Sequence, residues 1–266
     1  MILNFDLLRS FGTAYLGRSE RATGLMASLS MLEMFHGLVA LYPTSSTNAS
    51  GQLVDKSGNN NHLTPNSGPE LRNVGSIPTA HFSGAGSSQN YQDAASSTDF
   101  AITGTETFHP TSLRGLTIGC WFRPTDLQIG AGNRFLLGKY EAATSNRSYG
   151  LRQNEDDISF VVYKNTTDFL SLPLYSVVTV NTWQLFIARF KTQNNELKLW
   201  TKDTEDTLTD ATYSSINNST AAFTVGSRTD AAGEFDGHIS LAFVCNAAVP
   251  DAAILAYRAF SKALFK

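Results

Sequence analysis

From Trp183 to Val244 the chain alternates apolar and polar residues with a period of two, and that period commits it to β-structure. Trp183-Gln-Leu-Phe-Ile-Ala-Arg-Phe190 and Glu196-Leu-Lys-Leu-Trp-Thr201 flank the polar tetrad Thr192-Gln-Asn-Asn195, which predicts a hairpin. Phe223-Thr-Val-Gly-Ser227 and Phe235-Asp-Gly-His-Ile-Ser-Leu-Ala-Phe-Val244 read as further strands. Pro250-Asp251 ahead of Ala-Ala-Ile-Leu-Ala-Tyr predicts a short helix. Upstream, Gly37-Leu-Val-Ala-Leu-Tyr42, Ala80-His-Phe-Ser83, Leu116-Thr-Ile-Gly-Cys-Trp-Phe-Arg-Pro124, Phe135–Tyr140, Ser148–Arg152 and Ile158–Tyr163 carry strand patterns. Many short strands between turn signals predict an all-β, two-sheet antiparallel jelly-roll sandwich over residues 37–249. A helix at 250–263 closes it.

Composition narrows the function classes. Of the 266 residues, 42% are hydrophobic and 11% aromatic, enough for a globular core. Only 16% are charged, below the usual quarter or so, and Ser, Thr and Asn take up the surface. A net charge of −3 leaves no basic stripe for nucleic acid. No apolar run approaches the ~20 residues that span a bilayer, so neither a nucleic-acid nor a membrane partner is expected. Asp6 and Arg9 interrupt the opening segment where a signal peptide needs its apolar region. The expectation is synthesis in a cytoplasm, which makes the acceptors Asn48, Asn146, Asn165, Asn217 and Asn218 by-products of a polar surface.

The order of hairpin, Val225-Gly226-Ser227, Phe235-Asp-Gly-His-Ile239 and terminal helix resembles the laminin-G-like, or concanavalin A-like, jelly-roll family. The first strand leading into Asp55-Lys-Ser-Gly58, and Leu116–Pro124 as a central strand, extend the resemblance over about residues 37–262 through spaced short motifs. It departs after Leu197-Lys-Leu-Trp200, where a glycine usually follows and here Thr201-Lys-Asp-Thr-Glu205 runs on. The resemblance implies a laminin-G-like domain at 37–266 and a rim that holds Ca²⁺ in many relatives. Asp55, Asn59 and Asn61 are the calcium candidates, with Asp156 and Asp157, or Glu234 and Asp236, as alternatives. The competing role for Asp55 is to tether its own loop. No other cofactor is expected.

No enzyme is legible. The five histidines are scattered without metal-ligand spacing, and there is no Gly-x-Ser-x-Gly elbow or glycine-rich phosphate loop. Glu155-Asp156-Asp157 lies between two strands and reads as a solvated turn, not as glycosidase carboxylates. Trp121 and Trp200 are out of phase with the apolar residues of their strands. On a wet sheet face they become carbohydrate candidates, the alternative being that they brace the fold. Cys120 and Cys245 fall in apolar alternation and are expected to face the core side as free thiols.

Residues 1–36 form a separate unit, a partly helical arm. Leu7, Leu8, Phe11, Leu25, Met26, Leu29, Met31, Leu32, Met34 and Phe35 are too many apolar side chains for a solvated leader. The arm is read as an assembly element, self-associating (a trimer favoured) or docking on other virion proteins of capsid or tail. Packing across its own sandwich is the alternative. The function expected is a non-enzymatic structural protein of a bacteriophage virion, a capsid decoration or tail-associated protein displaying its laminin-G-like domain to host-surface glycans. A carbohydrate-binding lectin, adhesin or receptor-binding protein is the alternative.

Overall fold

The computed structural model describes residues 35, 37–84, 86–94, 99–106, 110–127, 132–141, 146–210, 212–230 and 233–265. Two antiparallel sheets form a sandwich. The first holds β1 (Leu38–Tyr42), β3 (Glu70–Val74), β4 (Ile77–Ser83), β6 (Gly115–Pro124), β11 (Gln184–Lys191), β12 (Glu196–Thr201), β13 (Glu205–Thr209) and β15 (Asp236–Cys245). Its order is β13-β12-β11-β6-β15-β4-β3, with β1 also on β15. The second holds β2 (Thr64–Asn66), β5 (Asn90–Gln92), β7 (Arg134–Glu141), β8 (Asn146–Asn154), β9 (Asp157–Tyr163), β10 (Phe169–Leu174) and β14 (Phe223–Val225), in the order β10-β9-β8-β7-β14-β5-β2. The expected all-β sandwich is the observed one. The hairpin forms as read, with Phe190 opposite Leu197 and Ile187 opposite Trp200. Glu155-Asp156-Asp157 is the β8–β9 turn, Glu155 taking φ 56°.

Inward side chains of both sheets make the main core, among them Tyr42, Phe82, Leu116, Ile118, Phe122, Phe160, Phe186, Leu199 and Phe223. The two motif glycines have steric reasons. Gly226 sits at φ 103° beneath the Phe82 ring, which a Cβ would strike. Gly237, at φ 142°, brings β15 so close to β6 that a Cβ would meet the Arg123 carbonyl.

A second core lies on the outer face of the first sheet, under the C-terminal helix α1 (Asp251–Ser261). Ile254, Tyr257 and Ser261 recur on one helix face and are buried, while Leu255 and Phe260 face outward. Pro250 caps the helix as its sequence predicts, and Asp251 in the first turn joins Arg189 and Lys198. Beneath α1 lie Trp121, Leu185, Ile187, Trp200, Leu241 and Phe243, and the chain returns to stack Phe265 on Trp121 at 4.2 Å. No described helix is long and apolar enough to cross a membrane.

Two readings are corrected here. Cys120 points into the main core, but Cys245 belongs to the second core. The register slips between Ser240 and Phe243, with Leu241 at φ 49°, and the slip reverses the face of everything after it. Both cysteines are free and buried. Trp121 and Trp200 do lie off the main core, yet both are fully buried, because α1 and the C-terminal residues cover that face. Neither is presented to a ligand. Of the arm, Leu7, Leu8, Phe11, Leu25, Met26, Leu29, Met31, Leu32 and Met34 lie outside the described residues. Phe35 is described and packs within its own chain, 5.5 Å from the Phe243 ring and 5.8 Å from Tyr257.

Candidate glycan-binding cleft

The cover over the first sheet ends at one row of residues. Strand pairing sets Arg123 opposite His238, His238 opposite His81, and His81 opposite Glu70. These side chains share the outer face, since positions directly opposite in a sheet point the same way. Trp183 precedes Gln184, which pairs with Phe122, so Trp183 continues the row beside Arg123. Lys202, two positions after the outward Trp200, stands at the far end.

Where α1 and the chain end leave this row open, Val74, Gly75, Ile77, Arg123, Asn181, Thr182, Trp183, Lys202 and Phe265 surround a cleft of about 380 Å³. The Trp183 indole meets the Phe265 ring edge-on at 5.0 Å. Asn181 is pinned to the end of β6 twice: its N–H donates to the Pro124 carbonyl at 2.7 Å, and its carbonyl accepts from Arg123 Nε at 3.0 Å. Asn181 takes φ 58°, a left-handed conformation that asparagine tolerates. Among the described residues no carboxylate lines the cleft. Among the described residues neither Arg123 nor Lys202 forms an ion pair. Trp183 and Phe265 close the bottom of the cleft as buried members of the second core, 6% and 1% exposed, so the groups it offers a ligand are those of its edge: a guanidinium, an ammonium, an amide and a hydroxyl, donors that suit a hydroxylated ring.

Beside the cleft the two histidine rings lie 4.8 Å apart, and Thr79 Oγ1 is 3.1 Å from His238 Nδ1. Burial pushes the His238 pKa down to about 4, with His81, Arg123 and Arg72 adding to the effect. His81 is lowered as well, by burial and then by Arg72, against the opposing pull of Glu70 and Asp236. Both rings are therefore neutral at pH 7. A depressed histidine pKa gives stability that is present above the unfolded value near 6.5 and is lost as pH falls toward 4. For His238 the loss reaches about 3 kcal/mol once pH drops below 4. His238→Gln is expected to flatten the fall in thermal midpoint between pH 6.5 and 4. An unchanged pH profile in that variant sinks the assignment.

The calcium candidates are not gathered as a cation site. Asp55 Oδ1 accepts from the Leu41 N–H at 2.9 Å and the Ser57 N–H at 2.8 Å. Its Oδ2 accepts from Ser57 Oγ at 2.7 Å and the Asn61 N–H at 3.0 Å. The carboxylate is spent on its loop, as the Asp-x-Ser-Gly pattern allows. Asn59 and Asn61 each donate Nδ2 to the Val39 carbonyl at 2.9 Å, tying the same loop to β1. Among the described residues no three His, Cys, Asp or Glu side chains converge as metal ligands.

Trp183, Arg123, Asn181, Lys202 and the paired histidines were not singled out from sequence as site residues. Trp183 was legible as the head of a strand, but its place at the edge of the helical cover was not. The histidines come together only through β4–β15 pairing.

No family model matches the chain, and no curated protein matches it. Solved structures do resemble it. The binding domain of Paraclostridial Mosquitocidal Protein 1 aligns with TM-score 0.61 at 13% identity, over 87% of this chain and 53% of its own. The binding domain of botulinum neurotoxin DC in complex with rat synaptotagmin II gives 0.60 at 10% identity, over 84% and 52%. The ligand binding domain of botulinum neurotoxin serotype D in complex with N-acetylneuraminic acid gives 0.59 at 12% identity, over 87% and 52%. The chain spans about half the length of these binding domains, and the likeness establishes a shared β-sandwich fold.

Proposed function

We propose that this chain is a non-catalytic recognition module that binds glycans in the cleft beside Trp183. The observation that carries the reading is the cleft itself: Arg123, Lys202, Asn181 and Thr182 edge a recess closed below by the buried Trp183 and Phe265, with no carboxylate among its described lining residues. The resemblance to domains solved as receptor- and sugar-binding units supports the same class of role. A glycan array followed by calorimetric titration tests it. Trp183→Ala, which empties the floor beneath the polar edge, is expected to weaken the best ligand by about 10-fold. Because Trp183 also packs on Phe265, Lys202→Glu at the rim provides a second variant with less effect on the fold. Undiminished binding in both variants, with folds intact by circular dichroism, removes the cleft as the site.

Display on a bacteriophage virion, with residues 1–36 building a trimer or docking on a capsid or tail protein, is the setting we propose for this module. Its support is the weakly charged Ser/Thr/Asn surface and the nine apolar side chains of the arm other than Phe35. Deletion of 1–36 that leaves the oligomeric state by light scattering and incorporation into particles unchanged refutes that setting.

A further inference from the structure

The cleft is not an isolated pocket. From Arg123 the outward row continues through His238 and His81 to Glu70, across β6, β15, β4 and β3. Three strand-to-strand steps make a polar track of roughly 14 Å, longer than a single sugar ring needs. Its charges are asymmetric. Glu70 is matched by Arg72 at 2.5 Å, and Asp236, at the margin, accepts a hydrogen bond from Thr125 Oγ1. Arg123 and Lys202 have no such partner among the described residues. Between the cation pair at the cleft and Arg72 at the far end stand two imidazoles.

We propose that Arg123 and Lys202, with His238 and His81 beyond them and the Glu70–Arg72 ion pair at the far end, extend the cleft into a subsite for an acidic glycan chain, one bearing carboxylate or sulfate groups along its length. This rests on the glycan-binding reading and narrows its ligand. A guanidinium recognises either anion through paired N–H donors, and Lys202 adds a point charge beside Trp183. The imidazoles make the subsite proton-linked. They stay neutral in the free protein because burial and the flanking guanidiniums oppose protonation. A bound anion supplies the missing counter-charge, so ligand and proton bind together and affinity rises as pH falls toward 5. The facing groups are Arg123 from β6, His81 from β4, Glu70 and Arg72 from β3, and Asp236 from β15 itself. Glu70 and Asp236 favour protonation and the arginines resist it.

The test is titration of the full chain with a sulfated glycosaminoglycan hexasaccharide, a polygalacturonate hexamer and neutral maltohexaose, at pH 7.4 and about pH 5.5. Uronate carboxyls with pKa values near those of ordinary carboxyls stay ionised at both. An acidic hexamer is expected to bind about tenfold tighter than the neutral one, and about threefold tighter still at the lower pH. Arg123→Gln should remove most of the preference. His81→Gln should remove the acid gain, read as the ratio of the pH 5.5 and pH 7.4 affinities within that variant. Preference between the sulfated and uronate hexamers identifies which anion the row serves. Equal binding of neutral and acidic hexamers at both pH values, still weakened by Trp183→Ala, overturns the acidic subsite but keeps the cleft. Acidic binding that ignores both Arg123→Gln and His81→Gln overturns it as well. Failure of every hexamer and of the glycan array overturns both readings.

Discussion

A chain ended after Val249 is expected to lose its cooperative fold. That truncation removes α1 and the returning C-terminus, and with them Ile254, Tyr257, Leu264 and Phe265, all buried against the outer face of the first sheet. At ~1.5–3 kcal/mol for each fully buried side chain, the four supply roughly 6–12 kcal/mol, comparable to the entire stability of a typical domain. Their loss would also uncover Trp121, Trp200 and Phe243, an exposed apolar patch of the kind that drives aggregation. The expected result is loss of the thermal unfolding transition, or soluble aggregate by light scattering. A truncated protein that stays monomeric and melts within a few degrees of the full chain would show that the second core contributes little. The single change Tyr257→Ala samples the same interface within a full-length chain, with an expected cost of about 3–5 kcal/mol for a fully buried aromatic.

This double burial explains what was legible in the sequence and what was not. β6 was readable as a central strand because nearly every residue from Gly115 to Pro124 is buried, inner ones by the opposite sheet and outer ones by α1. The same fact misled the reading of Trp121 and Trp200. Their phase placed them on the outer face, as observed, but periodicity reports which face a residue takes and not what covers it. Strands β3, β10 and β13 escaped notice: Glu70-Leu-Arg-Asn-Val74 and Glu205-Asp-Thr-Leu-Thr209 are exposed edge strands with little apolar pattern, and Pro173 interrupts Phe169–Leu174. The missing glycine after Trp200 fits this, because Thr201–Glu205 turns into an additional edge strand.

The site was less legible than the fold, for a geometric reason. Arg123, His238, His81 and Glu70 are far apart in the chain and meet through strand register alone. The slip at Ser240–Phe243, which alternation cannot disclose, lies beyond these pairings and is what misplaced Cys245. Local hydrogen-bonding patterns carried further. Asp55-Lys-Ser-Gly58 was readable as a self-tethering loop, and the four hydrogen bonds that its Asp55 carboxylate accepts all come from within the segment Leu41–Asn61.

Arg189→Ala is expected to be the most damaging polar substitution, and it isolates what docks α1. Arg189 lies on the outer face of β11, only 5% exposed. Its Nη1 donates to the Val249 carbonyl at 2.9 Å and to Asp251 Oδ1 at 2.5 Å, and its Nη2 meets Glu196 at 2.6 Å. Lys198 bridges Asp251 to Glu205, and both Arg189 and Lys198 stand about 5.1 Å from the Trp200 ring centre. Burial works against the Lys198 charge, yet Asp251 and Glu205 outweigh it and raise its pKa. Burial likewise opposes the Asp251 charge, and Lys198 with Arg189 more than compensates, lowering its pKa. Removing one member of a buried ion network costs about 3–5 kcal/mol, because its partners are left unmatched. Asp251 retains substantial solvent contact, which places the cost near the lower end. A loss of about 3 kcal/mol corresponds to roughly 6–12 °C in the melting midpoint of a domain this size. Arg189→Lys should recover little, since one ammonium cannot serve Val249, Asp251 and Glu196 together. Asp251→Asn should cost less than Arg189→Ala, because it leaves Arg189 paired with Glu196. A midpoint shift under 2 °C in Arg189→Ala would mean that the apolar face of α1 holds the helix unaided and that the ion network only sets its register.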